Sequence, residues 1–398
     1  MNGSRVTRRA YLDHAATSSM SDRVVVAYTT ALREVGNPAS THGHGQRASE
    51  LLEAARERVA AALGCDAPEL VFTSGGTESI NLALKGAYWA RQRGGPRPVL
   101  LVADGEHHAT IEAAEWLRDA QGAELVWLRI DGAGRLDPET LRAAIERAGA
   151  ERVALVSFLW ANNEVGTVQP VAELCAVAAA VGVPVHVDAV AALGQVPVDF
   201  AASGASLVSV SAHKIGGPVG VGALVVGRGA AIDPLFHGGS QQRGRSGTQD
   251  VAGAVAFAEA VDEVIGVGGA PRPEHIEHLE RLRNRLIAGV RAVDPSAVLR
   301  GADPHRLPGN AHFTFPGCRG DSLVFLLDAA GVSVSVGSAC RAGVAETSHV
   351  LLAMGMPEDE AAGALRFTLG AASTDAEIDV LLAALPETLA RARAAGLH

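Results

Sequence analysis

The 398-residue sequence has no charge-free run long enough to span a bilayer. Its basic start, MNGSRVTRRAYLDHAAT, has no apolar core of the kind a secretory signal needs. These absences predict a cytoplasmic protein without membrane contact. Positive charge is also short: 34 Lys and Arg against 44 Asp and Glu give a formal net charge of −10. Direct nucleic-acid binding, which rests on neutralising phosphates, is therefore not expected. Cysteine is scarce, and Cys65, Cys175, Cys318 and Cys340 show no CxxC spacing, so neither a metal site nor a redox pair is indicated. No internal repeat and no extended low-complexity tract interrupts the chain.

What is present is apolar and rich in turns. Hydrophobic residues make up 48 % and glycines number 45, which suits a buried parallel sheet with tight connections. The length suits two domains. From about residue 69, apolar runs such as ELVFTS, PVLLVAD, VALVSFLWA, VPVHVDAV and LVSVSA alternate with amphipathic ones such as ATIEAAEWLRDAQ and PVAELCAVAAAVG. That alternation predicts an α/β fold, a mostly parallel mixed sheet between helices, with ligands beyond the carboxyl ends of the strands. Near residue 265 the pattern changes. IGVGGAPRPE reads as a connection, followed by a long polar helix over 273–292, strands AHFTFPG and LRFTLG, and a C-terminal helix. We expect a large domain over 15–262 and a smaller α+β domain built from 1–14 and 263–398.

One strand ends in Asp188, and the next apolar strand ends in His213-Lys214 before a Gly-rich turn. Pyridoxal 5′-phosphate (PLP) requires such a pair: a lysine to form its Schiff base and an acid for its pyridinium nitrogen. SGGTES (74–79) follows a strand and opens a helix, so its N–H groups and the Ser74 and Thr77 hydroxyls can cradle a phosphate; an ordinary capped glycine turn is the alternative. In GEHHAT (105–110), the His107 imidazole can stack on a planar ring and shuttle protons, whereas His108 reads as a surface residue at a helix start. Asn163, in WANNEVG, can donate to a phenolate oxygen or cap a turn. HGGSQQRGRSGT (237–248) suits a surface loop or phosphate recognition from a neighbouring subunit. Cys175 reads as a buried inert thiol, and Cys65 and Cys318 as structural. Cys340 instead follows a strand inside a small-residue loop, where a thiol can be exposed. Arg366 opens an apolar strand and wants a carboxylate partner, such as that of a substrate.

The ordered motifs YLDHAAT, GNPASTHGHGQRA, FTSGGTES, EHH, NNEVGTVQP, HVDA, SAHKIGGPVGVGAL, RGRSGT, GSAC and LRFTLG cover nearly the whole chain. In this it resembles the cysteine desulfurases of the class-V, fold type I PLP aminotransferase superfamily. The GSAC loop with SHVLLAMG after it is similar to the longer cysteine loop of the housekeeping-type subgroup. The resemblance implies that Lys214 carries the cofactor, Asp188 pairs with its ring nitrogen, His107 stacks on the ring and Asn163 approaches the phenolate oxygen. It implies a phosphate site of Gly76, Thr77, Ser211 and His213, with Thr248 reaching in from the second subunit of a homodimer. Arg366, with Asn163, would bind the carboxylate of L-cysteine, and Cys340 would take its sulfur as a persulfide, leaving alanine and serving a sulfur-acceptor protein. The nearest alternatives are a selenocysteine lyase, another PLP lyase or an aminotransferase; a non-catalytic scaffold is the alternative of another class. One motif departs from the pattern: HVDAVAALG has Ala191 where the family has a glutamine that donates to the phenolate oxygen. The phosphate loop also has a glutamine in place of the usual glutamate.

Overall fold

Short aliphatic runs without a polar face become strands covered on both sides. The computed structural model describes residues 9–395 apart from 240, 267, 338, 339, 342, 343 and 346; at 340, 341, 344 and 345 it describes the backbone alone. Seven strands form the main sheet: β1 (Leu70–Thr73), β2 (Val99–Ala103), β3 (Glu124–Leu128), β4 (Val153–Leu159), β5 (Val185–Asp188), β6 (Leu207–Ser211) and β7 (Gly222–Val226). Their order is β1-β7-β6-β5-β4-β2-β3. Only β7 runs antiparallel to its neighbours, so the sheet is mixed but mostly parallel, as the alternating sequence predicts.

Alternate residues of each strand feed opposite cores. Val99 and Leu101 of β2 pack beneath the helices Gly43–Ala62, Val171–Ala179 and Val251–Val264. Leu100 and Val102 point the other way, toward Ile80, Leu84, Ala113 and Leu117. Those residues come from the helical stretch that opens at Gly76 and from the helix His108–Gln121.

A further core gathers around an antiparallel sheet of β8 (Val298–Arg300), β9 (Asn310–Thr314) and β10 (Ala364–Thr368), ordered β10-β9-β8. Phe313, Phe315 and Phe367 pack there with Leu279, Leu282 and Leu381 from the helices Pro273–Val293 and Asp375–Ala395. Ala10 and Leu12 join this core, and Ala10–Tyr11 pairs in parallel with Val332–Ser333. The strand β8 escapes the sequence reading because its residues are only half-buried or exposed, so no apolar run marks it. Among the described residues, no helix is long and apolar enough to cross a membrane.

Candidate active site

The carboxyl ends of β4, β5 and β6 open into a cavity of about 430 Å³, whose far wall carries Arg366 from β10. Eight of the residues singled out from sequence line it: Gly76, Thr77, His107, Asn163, Asp188, His213, Lys214 and Arg366. The topology thus gathers groups that lie up to hundreds of residues apart.

Asp188 is the last residue of β5, buried, with Oδ1 accepting from the Val190 N–H at 2.9 Å. Burial pushes its pKa up to about 6, against that hydrogen bond and the charge of Lys214. Two residues earlier on the same side, His186 is held between Ser157 Oγ (2.9 Å) and Ser209 Oγ (2.7 Å), and burial keeps it neutral, with a pKa near 3. Glu106 is also buried, and its Oε1 accepts from the Leu159 N–H at 2.8 Å. Burial, then the nearby Asp188 charge, push its pKa well above the ordinary value. Both effects favour a protonated Glu106, leaving the negative charge to Asp188.

Lys214 sits in the turn Ala212–Ile215, which Gly216 ends at φ 82°, a left-handed conformation that favours glycine. Its Nζ donates to the carbonyls of Ala15 and Ala16, the latter at 3.0 Å. Burial, then the charge of Arg366, lower its pKa to about 8. A sizeable neutral, nucleophilic fraction therefore exists near neutral pH. His107 opens to the cavity while standing among protein groups. Burial, then Lys214, lower its pKa to about 4. Its Nδ1 accepts from the Ala109 N–H at 3.1 Å, which leaves the ring proton on Nε2. His108 also lines the cavity, its ring 4.8 Å from that of His349, so it is not simply a surface residue.

At the other end, Gly75 has φ 141° and a Cβ on Gly76 would come within 2.8 Å of Val190 Cγ2. Only glycine allows the backbone to approach there. Ser211 Oγ is buried beside this turn without a partner among the described residues. Asn163 Oδ1 is orphaned in the same way. Buried polar atoms of this kind are costly unless a ligand satisfies them. The Ser211 hydroxyl can donate to a phosphate, and with an acid, a lysine and an imidazole on the same cavity it fits a phosphorylated pyridine such as PLP. Two neighbouring groups are already engaged: the Ser74 N–H donates to Glu78 Oε2 at 2.7 Å, and Arg245 Nε to Glu78 Oε1 at 3.0 Å. Arg243 donates to the carbonyls of Val226 and Ala230. Thr248 is exposed and lies off this cavity wall.

Arg366 is 5 % exposed, with Nη1 donating to the Asn163 carbonyl at 2.9 Å and Nη2 to Asp13 Oδ1 at 2.8 Å. Asn163 and Arg366 are thereby fixed to one another. Glu164, Asp13 and His349 escape the sequence reading. Ser348 Oγ donates to Glu164 Oε2 at 2.5 Å, and His349 Nε2 donates to the Glu106 carbonyl at 2.8 Å. The signal available for them was position: each lies inside a motif already singled out or directly after the GSAC loop.

The Cys340 side chain lies outside the described residues; its backbone pairs with Ala345. The other three cysteines are poor nucleophiles. Burial drives the Cys65 and Cys175 thiols up to about 12 and raises that of Cys318. Among the described residues, no cluster of His, Cys, Asp or Glu could hold a metal ion.

Ala191 lines the cavity, so the missing glutamine is a difference at the site itself. Gln195, four residues on, lines it too, with Oε1 accepting from the Gly309 N–H at 3.0 Å. Ala191→Gln restores a donor that favours the ionised phenolate. We expect the pH titration of the bound-cofactor absorbance to shift to lower pH, with the cofactor still on the same lysine. Superimposed curves would mean that Gln195 or another donor already fills the role.

The aminotransferase class-V family profile matches residues 10–381. The chain is 49 % identical, over 98 % of both chains, to an IscS-like cysteine desulfurase of Mycobacterium tuberculosis. Among solved structures it is similar to a NifS-like protein (35 % identity, TM-score 0.86, covering 96 % of this chain and 100 % of that one). It is also similar to SspA in complex with cysteine (28 %, 0.78, 92 % and 100 %).

Proposed function

Because this chain belongs to the class-V aminotransferase family, whose enzymes are PLP-dependent, we propose that it is a cysteine desulfurase. It converts L-cysteine to L-alanine and transfers the sulfur to Cys340 as a persulfide, for delivery to an acceptor protein. The observation that carries this reading is the meeting of Lys214, Asp188 and Arg366 in one cavity. The relatives' names narrow the substrate to cysteine.

Each residue has a physical task. Ser211, Thr77, His213 and the N–H groups at Gly76 would hold the phosphate, and Asp188 the ring nitrogen. His107 would stack on the ring, and Asn163 would meet its phenolate oxygen. When bound, PLP supplies the electron sink that lets substrate bonds at Cα and Cβ break. Lys214 moves the Cα proton, which its lowered pKa suits. Arg366 orients the substrate by its carboxylate. The Cys340 thiolate attacks the substrate sulfur: an S–S bond forms, the Cβ–S bond breaks, and its electron pair takes a proton to give alanine. The raised thiol pKa values at Cys65, Cys175 and Cys318 support Cys340 as the acceptor.

We extend the reading to a cytoplasmic homodimer in which the second subunit contributes Thr248. The separate cores around the two sheets support dividing the chain into 15–262 and 1–14 with 263–398, of which residues 1–8 lie outside the described ones.

The experiment is to supply the purified holoenzyme with L-cysteine and a thiol reductant, then measure alanine and sulfide. Equimolar release is expected, and a protein that makes no alanine overturns the proposal. In the same assay Arg366→Lys keeps the charge but loses the guanidinium fork. Substrate binding should weaken by about 1.5–3 kcal/mol, the range for hydrogen bonds to charged groups. Unchanged affinity would assign Arg366 to structure alone.

A further inference from the structure

The Arg366 guanidinium is nearly fully buried, yet one of its two described partners is neutral: the Asn163 carbonyl on Nη1. The other is charged. Asp13 Oδ1 lies 2.8 Å from Nη2, and that carboxylate is itself about one-fifth exposed. Nε has no partner among the described residues. The Asp13 backbone is held in place independently of the ion pair, because it bridges to Thr368 on β10 and its carbonyl accepts from the Tyr11 hydroxyl at 3.1 Å. The same segment continues into Ala15 and Ala16, whose carbonyls receive Lys214 Nζ.

A buried guanidinium needs a counter-charge to offset its lost hydration. In the substrate-free site Asp13 supplies it. A substrate carboxylate arriving at Arg366 therefore meets a cation that is already paired, and a second anion beside it. The incoming ligand must share the guanidinium with Asp13, and the two carboxylates repel one another.

We propose that Asp13 is an affinity-setting residue of the substrate site: as the resting counter-ion of Arg366, it weakens the hold on every incoming carboxylate, substrate and product alike. The consequence is chemical. Cysteine and alanine carry the same α-carboxylate, so a site that gripped that group with an unneutralised arginine would also retain its product. Asp13 limits the grip without moving the arginine. This inference rests on the reading of Arg366 as the carboxylate anchor.

The test uses the holoenzyme and 3-mercaptopropionate, which carries the carboxylate and thiol of cysteine but no amine, with affinity measured by calorimetric titration. Asp13→Asn keeps an acceptor for Nη2 and removes the charge. Its affinity for the probe should rise about three- to tenfold, the scale of one partly buried charge pair. Asp13→Ser, a second charge-free variant, should move in the same direction. A merely structural role for Asp13 would leave affinity unchanged or lower it, and either result in a folded variant overturns the inference. Arg366→Lys separates the two readings. If it weakens the probe while Asp13→Asn does not tighten it, the anchor stands and the counter-ion role fails. If it leaves the probe unaffected, the anchor reading fails and the inference falls with it.

Discussion

Lys214→Ala should eliminate covalent cofactor attachment and cost about 10²–10⁴-fold or more in alanine production, the range for losing a positioned acid–base group. The wild-type protein should be yellow. Borohydride should bleach the bound-cofactor band and fix the cofactor to the Lys214 peptide, as read by mass spectrometry. The argument rests on the amine's surroundings: burial and the charge of Arg366 bring its pKa down to about 8. The neutral form is the nucleophile, so its fraction grows as pH rises through that value. Cofactor-free protein should therefore capture PLP faster at pH 9 than at pH 7, provided the aldehyde is in excess. Lys85, by contrast, stands over the Trp116 ring at 4.4 Å and is not among the cavity-lining residues. A reduced adduct on Lys85 would overturn the assignment.

Cys340→Ala should abolish persulfide and sulfide formation from cysteine while leaving PLP bound. The three other cysteines set the contrast. Each is held in its thiol form by burial, and for Cys65 nearby Glu69 and Asp66 add to that effect. At a pKa near 12 the Cys65 and Cys175 thiols have a negligible thiolate fraction at neutral pH, burial raises the Cys318 thiol too, and thiolate is the attacking species. Single substitutions at Cys65, Cys175 and Cys318 should accordingly retain turnover. Normal sulfur transfer by the Cys340→Ala protein would remove the persulfide step from the mechanism.

Some of this site is legible in the sequence. Asp188 and Lys214 stand out because an acid at the end of one apolar strand and a lysine just past the end of the next fall at the sheet's ligand-binding edge. Gly76 stands out because a strand-to-helix turn with paired glycines marks a close backbone approach. Arg366 could be flagged as needing a carboxylate, but not which one. Asp13 lies 353 positions away, and only the pairing of its segment with β10 brings the two together. Glu106 was hidden differently. In sequence it is an acid next to two histidines, and only its burial beside Asp188 reveals why a proton would stay on it. The strand β8 was missed because half-exposed residues carry no period-two signal, and the engagement of Arg245 by Glu78 because loop arginines pair according to tertiary proximity.

The most direct test gives the holoenzyme L-cysteine with neither reductant nor acceptor protein, then maps each cysteine peptide by mass spectrometry under non-reducing conditions. The account predicts a gain of one sulfur atom on the Cys340 peptide, matched by one alanine released per site. Alanine release with Cys340 unmodified, or the added sulfur on Cys65, Cys175 or Cys318, would contradict it.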